Sequence, residues 1–333
     1  MKTPLKLWVA GARPRTLPAA VVPVVVGTAV GYVASGSNYV HVTRLKSHVT
    51  SGGGSGPNGL VVVSIHHSFA IVNALLALVV ALGLQIGTNY VNDYADGVRG
   101  TDEVRVGPVR LVAGKLASVR HVKIAALGAF GVSGIAGLVL AIRVSYWFIP
   151  IGLVCGLAGW AYTGGKHPYG YLGLGEVLVF VFFGLVATAG SAYVQHPPAQ
   201  HLVSHPFPWA FAVWASVPVG LLATALLQAN NLRDVETDKE TGKKTVAVRL
   251  GRTRAGYLYV ATLAATAASI GVLQHYRGWA LIALAALPLA IVPARLAVSD
   301  QNGRALLPML ATTARIQLAV GLLLTIGLLL IRP

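Results

Sequence analysis

Two short windows hold most of the acids in this chain, and their spacing suits metal-assisted phosphate chemistry. Only ten Asp and Glu residues occur in the sequence, and eight of them lie between Asn89 and Glu103 or between Asn230 and Glu240. Asp93 and Asp96 are three residues apart and Asp234 and Asp238 four, so on helices each pair shares one face. Asn89 and Asn92 extend the first face, and Asn230 and Asn231 extend the second. Oxygen ligands of this kind suit a hard cation such as Mg²⁺, which takes one or two carboxylates and fills its shell with water and substrate phosphates. Two such faces opposed across a cavity would hold a diphosphate between metal ions. The plainer reading makes these acids helix caps or partners of loop arginines. The two readings weigh evenly for Asp102, Glu103 and Glu240, whereas the metal reading is the stronger for the Asn–Asp pairs.

Cations flank both windows. Arg99, Arg105, Arg110 and Lys115 accompany the first, and Arg233, Lys243, Lys244 and Arg249 the second. A departing diphosphate needs such countercharge as its C–O bond breaks. Arg110 and Lys243 are the better-placed candidates, although loop cations also orient membrane proteins.

The elements that must position these residues are membrane helices. The 333 residues are 55% hydrophobic and 11% charged, against about a quarter charged in soluble domains. Roughly 20 apolar residues cross a bilayer as a helix, and apolar stretches fall at about 16–35, 69–91, 121–142, 146–163, 173–194, 209–230, 256–274, 279–298 and 306–331. The sequence therefore predicts an all-α membrane protein of nine transmembrane helices. It reads as one domain over 1–333, with an insertion at about 36–68 whose run from Ser51 to Pro57 reads as a flexible surface loop. The four histidines of that insertion (His41, His48, His66 and His67) are too scattered for a metal site. The N-terminal basic and apolar run mimics a signal peptide, but Pro18 and Pro23 break it, and it reads as a retained first membrane helix.

A formal charge of +16 raises nucleic acid as a partner. The 26 Lys and Arg residues are spread over short loops with no long basic run, so nucleic-acid binding is not expected. With the N-terminus inside, cytoplasmic segments hold 21 of the 26 basic residues and outer segments five, which supports a cytoplasmic N-terminus in the inner (cytoplasmic) membrane. Both acid windows then lie at cytoplasmic ends of helices, the second and the sixth. Acids at membrane depth are costly and mark function. Cys155, the single cysteine, excludes a disulfide framework and reads as a packed core residue.

Sequence motifs sharpen this picture. Asn92-Asp93-Tyr94-Ala95-Asp96, then Gly100-Thr101-Asp102 and Gly107-Pro108-Val109-Arg110-Leu111-Val112, resemble the first signature of the UbiA superfamily of intramembrane prenyltransferases. Asn230-Asn231-Leu232-Arg233-Asp234 with Gly242-Lys243-Lys244-Thr245 resembles the second. With Ala12-Arg13-Pro14-Arg15-Thr16-Leu17-Pro18, and Tyr162-Thr163-Gly164-Gly165 running to Pro168-Tyr169-Gly170-Tyr171, the set is most similar to the 1,4-dihydroxy-2-naphthoate polyprenyltransferases. The likeness covers nearly the whole chain outside about 36–68. Two departures stand out. Gly100 occupies the place of a third acid found elsewhere in the superfamily, and His167 separates Lys166 from Pro168.

The resemblance implies a nine-helix bundle around a central cavity open towards the cytoplasmic leaflet and partly towards lipid. It implies transfer of a polyprenyl chain from polyprenyl diphosphate to 1,4-dihydroxy-2-naphthoate, with loss of carbon dioxide and diphosphate, giving demethylmenaquinone. Asp93, Asp96, Asp234 and Asp238 become the expected Mg²⁺ ligands and catalytic residues. Asn89, Asn92, Asn230, Arg110, Arg233, Lys243, Tyr162 and Lys166 become expected substrate contacts. Glu176, alone in an apolar helix, either touches the aromatic substrate or caps a loop. Phe180, Phe182 and Phe183, and Tyr146-Trp147-Phe148, line a chain tunnel or merely pack. Another aromatic acceptor such as 4-hydroxybenzoate, a chlorophyllide-type acceptor, or cation-coupled transport are the competing readings.

Overall fold

The computed structural model describes residues 3–36, 41–44, 61–64, 70–100, 110–165, 168–195 and 206–330. Asp102, Glu103, Arg105, Lys166, His48, His66 and His67 fall outside the described residues, as does the run from Ser51 to Pro57. Within the insertion, His41–Arg44 (β1) pairs antiparallel with Val61–Ser64 (β2), with His41 opposite Ser64.

Hydrophobic runs long enough to cross a bilayer become helices because lipid offers the backbone no hydrogen-bond partner. Among the described residues, seven helices meet the length and apolarity needed: Ile71–Arg99, Val119–Arg143, Gly175–Tyr193, Trp209–Arg233, Arg252–Leu273, Gly278–Ala297 and Gly303–Leu329. Leu5–Thr16 and Pro18–Ala34, which meet at a 56° bend, bring the count to eight if the pair is one broken span. The ninth apolar segment, Phe148–Ala161, has 14 residues and is short for a full crossing. All nine apolar stretches read from the sequence are thus helices, with one of them stunted.

We number the helices in chain order: α1 Leu5–Gly11, α2 Pro18–Gly36, α3 Ile71–Arg99, α4 Val119–Arg143, α5 Phe148–Ala161, α6 Gly175–Tyr193, α7 Trp209–Arg233, α8 Val235–Glu240, α9 Val246–Leu250, α10 Arg252–Leu273, α11 Gly278–Ala297 and α12 Gly303–Leu329. Helix α7 is the most enclosed, packing against α2, α6, α10 and α12. Its contact with α6 is made by glycine on glycine, since a Cβ on Gly184 would stand 2.6 Å from the Gly220 Cα. Small residues let membrane helices approach this closely. Around Gly184, residues Phe180–Val186 adopt a π-helical turn, a widening often found where a helix carries function.

Helix ends place the two acid windows. Gly100 ends α3 in the left-handed conformation (φ 72°), and its N–H donates to the Asp96 carbonyl. Helix α7 stops at Arg233, and Asp234 leads directly into the short α8. Many apolar side chains point outward, among them Ile135, Ile142 and Leu157, each at least 65% exposed. A bilayer, and not water, suits such a surface.

Candidate active site

A cavity of about 1030 Å³ runs through the bundle. Its polar end is lined by Asn92, Asp96, Arg110, Asn230, Arg233, Asp238 and Lys243. Its apolar end is lined by Trp147, Phe148, Tyr193, Val194 and Trp209. The wall built by α6 extends from Leu178 to Val194, a rise of roughly 24 Å at 1.5 Å per residue. Cys155 lines this cavity half-buried, so it is a wall residue and not the packed core residue expected. Phe182 and Phe183 also line it, whereas Phe180 packs towards Gly220. Trp147 and Phe148 line it as well, while Tyr146 faces outward, 72% exposed.

At the polar end, acids from the two windows converge on one cation. The Lys243 ammonium stands 3.6 Å from Asp96 Oδ1 and 3.8 Å from Asp238 Oδ1. Arg110 Nη2 is 3.7 Å from Asp96 Oδ2. All four side chains are at least 90% buried, a setting in which paired charges interact far more strongly than in water. Asn92 accepts a hydrogen bond from Thr163 Oγ1, and Asn230 Nδ2 donates to the Leu226 carbonyl at 3.2 Å.

Not every expected residue reaches the cavity. Asp93, expected beside a metal, is turned the other way. Its two oxygens accept the N–H groups of Leu111 and Val112 at 2.8 and 3.1 Å, and it is not among the cavity-lining residues. Asp93 therefore pins the turn that carries Arg110. Asp234 also lies off the cavity wall and forms a bidentate pair with Arg233, both contacts at 2.7 Å. Asn89, expected at a diphosphate, reaches the wall but spends its amide on Ala12 and Thr16 (2.9 and 3.1 Å). Glu176 accepts from Asn231 Nδ2 at 2.9 Å and is not itself among the residues lining the main cavity, whereas Asn231 is. Tyr162 lines the wall.

Two contributors were not singled out from sequence. Tyr171 donates from its hydroxyl to Asp96 Oδ1, and its ring lies under both Lys243 (4.7 Å) and Arg99 (5.4 Å). Its loop is docked by the Lys244 N–H on the Tyr171 carbonyl at 2.9 Å. In the same loop burial pushes the Tyr169 phenol up to about 12, so it stays a neutral donor, here to the Ala158 carbonyl at 2.9 Å. Arg13 lines the cavity from the N-terminal side. The motifs around Tyr171 and Arg13 were visible, but a residue type gives no direction to a side chain.

The chain as a whole has counterparts among known proteins. The profile described as "UbiA prenyltransferase family" matches residues 59–316. The chain belongs to the UbiA prenyltransferase family. This UbiA-family chain is 42% identical to a 1,4-dihydroxy-2-naphthoate octaprenyltransferase of Mycobacterium tuberculosis, over 92% of its own length and 91% of the relative's. It is 32% identical to the protein of that name in Escherichia coli, over 97% and 95%. Among solved structures, a UbiA homolog from Archaeoglobus fulgidus bound to DMAPP and Mg²⁺ superposes with a TM-score of 0.56 at 15% identity, covering 96% of this chain and 99% of that one. A UbiA homolog from Aeropyrum pernix K1 gives 0.58 at 18% identity, covering 92% and 96%. At those identities the likeness is one of fold.

Proposed function

We propose that this membrane enzyme transfers a polyprenyl chain from polyprenyl diphosphate to 1,4-dihydroxy-2-naphthoate, releasing diphosphate and carbon dioxide, at the cytoplasmic end of the bundle in the inner membrane. One observation carries the reading. Asp96 and Asp238, from helices far apart in sequence, face one cation at the mouth of a long apolar cavity. The names of the relatives support the acceptor, and the excess of basic residues on inward segments supports the orientation.

The donor set fits a divalent cation held in part by substrate. Among the described residues no three carboxylate, imidazole or thiolate groups converge on one point. Two carboxylates do converge where Lys243 now bridges them, and Asn92 and Asn230 line the same cavity. Mg²⁺ accepts that sparse protein shell when phosphate oxygens complete it. Asp96 and Asp238 would hold the ion, with Asn92 and Asn230 adjacent and Asp234 behind them, kept in line by Arg233. When bound, the ion supplies charge neutralisation at the diphosphate oxygens.

The chain's own residues then account for the transfer. Arg110, Arg233 and Lys243 face the diphosphate and stabilise the negative charge that grows as the bond from C1 of the prenyl chain to oxygen breaks. The electron pair of that bond leaves with the diphosphate. The ring carbon of the acceptor forms the new C–C bond to C1, and loss of the carboxyl group as carbon dioxide returns an electron pair to the ring. The product is the prenylated quinol, which becomes demethylmenaquinone on oxidation. The apolar walls of α5 and α6 keep water from the developing allylic cation. Transport is disfavoured because the acids crowd one end of the bundle beside arginines and not the mid-membrane breaks typical of carriers.

The test is a competition. The purified protein is given 1,4-dihydroxy-2-naphthoate and 4-hydroxybenzoate together with a long prenyl diphosphate and Mg²⁺. Mass spectrometry should find the decarboxylated naphthoquinol product. A prenylated hydroxybenzoate alone would replace the acceptor, and no prenylated product from either would remove the reaction.

A further inference from the structure

A cation also stands at the end of the bundle opposite the acids. Asn73 lies near the start of α3 and Asp93 near its finish, about 30 Å apart along the helix. Asn73 is a buried amide in a membrane-spanning helix, where polar groups are costly and mark function. Its Oδ1 accepts from Arg143 Nε at 2.9 Å, and its Nδ2 donates to the Val194 carbonyl at 2.7 Å. Beside it, Gln195 Oε1 accepts the Ala70 N–H at 3.1 Å. Asn73 thus fixes one guanidinium where the ends of α3, α4 and α6 meet.

That guanidinium is held by one edge. Nε faces Asn73, while Nη1 and Nη2 have no partner among the described residues. Arg143 is exposed and does not line the cavity, so it stands apart from the reaction site. It is the last residue of α4. Tyr146 and Trp147 follow it, 72% and 76% exposed. Exposed Tyr and Trp mark the level of lipid headgroups, so the open edge of the guanidinium lies at that level. Its paired, coplanar N–H groups match two oxygens of a phosphate.

Towards the middle of the membrane, the same side of α4 is apolar. Val139, Val132 and Gly128 lie at helical intervals from Arg143, near its face of the helix. Both valines are exposed, and a Cβ on Gly128 would meet nothing within 4 Å. Ile135 and Ile142 border this strip and are exposed as well. A soluble anion would need the guanidinium alone. A phosphate that carries acyl chains uses the guanidinium and the open hydrocarbon strip together.

We propose that the Asn73–Arg143 pair is a phospholipid site, in which the guanidinium takes the lipid phosphate and the α4 strip takes an acyl chain. The experiment gives the purified protein, in neutral detergent, phosphatidylglycerol, a diacylglycerol with the same chains, or inorganic phosphate. Native mass spectrometry counts the lipid retained, and a thermal scan reads stabilisation. Wild type should hold phosphatidylglycerol at least about tenfold more tightly than the diacylglycerol, the difference that a charge-assisted hydrogen bond supplies. Arg143→Gln should hold one phosphatidylglycerol fewer than wild type, with diacylglycerol retention unchanged. Asn73→Ala keeps the charge but releases it from its anchor, and should weaken retention by a smaller factor. Equal numbers of phosphatidylglycerol on wild type and Arg143→Gln overturn the site. Inorganic phosphate that stabilises wild type as much as phosphatidylglycerol gives the guanidinium to a free anion and overturns the lipid. Should Arg143→Gln not fold, equal retention of the two lipids by wild type overturns the proposal alone.

Discussion

At the scale of single residues, the four aspartates that look alike in sequence do different work. Asp96 and Asp238 face the cavity and a shared cation. Asp93 binds two main-chain N–H groups and governs the turn bearing Arg110. Asp93→Asn replaces one accepting oxygen with a donor that opposes a backbone N–H. Hydrogen exchange at the Leu111 and Val112 amides should therefore accelerate by at least about tenfold, matching loss of one buried charge-assisted hydrogen bond. Unchanged protection of those amides would place the carboxylate elsewhere. The clustering of acids was legible because carboxylates are rare in this chain and costly in lipid. Which acid turns inward was not, because that depends on where the 110–117 turn packs, a contact with no local sequence signature. For the same reason Tyr171 went unnoticed as a partner of Asp96, while Asn89 was assigned to substrate instead of to the Arg13 turn.

At the scale of elements, apolar run length announced the nine apolar helices but not the short α1, α8 and α9. Most ends lie within a few residues of those runs, as at Arg233 for α7, but α3 continues eight residues past the apolar stretch ending at 91, to Arg99, because its last two turns carry the first acid window. Run length did not reveal that Phe148–Ala161 stops at 14 residues, or that α6 widens into a π-turn at Phe180–Val186. Both depend on packing across the cavity. The Gly184–Gly220 crossing is the tightest constraint on α6. Gly184→Val would push the wall of α6 off α7, since even its Cβ lacks room. Overpacking of this kind typically costs about 1–3 kcal/mol. The variant should unfold earlier than wild type in a thermal scan in detergent, and equal thermal stability would show that the crossing is looser than the structure has it.

At the scale of the whole molecule, the bundle is a channel for chain length with chemistry at one end. Its far wall includes Gly190, where an added Cβ would meet nothing closer than the Phe148 ring at 4.0 Å. Gly190→Phe would fill that end, roughly 18 Å along α6 from Leu178 on the same wall. Turnover with long prenyl diphosphates should fall at least tenfold relative to turnover with a short one. An unchanged ratio would mean that the chain leaves the bundle by another route. Sequence composition gave no access to this depth, since tunnel length arises from how the helices lean together.

The most direct test titrates divalent metal while following diphosphate release by wild type, Asp96→Asn and Asp238→Asn with prenyl diphosphate and dihydroxynaphthoate present. Wild type should be inactive after chelation and restored by Mg²⁺. Each variant should lose at least about 100-fold in turnover, as removal of a charge that holds the ion implies, and should need more Mg²⁺ for half of its residual rate. Full turnover after chelation, or variants with wild-type rates and wild-type Mg²⁺ requirements, would contradict the assignment of these two aspartates to a metal-bound diphosphate.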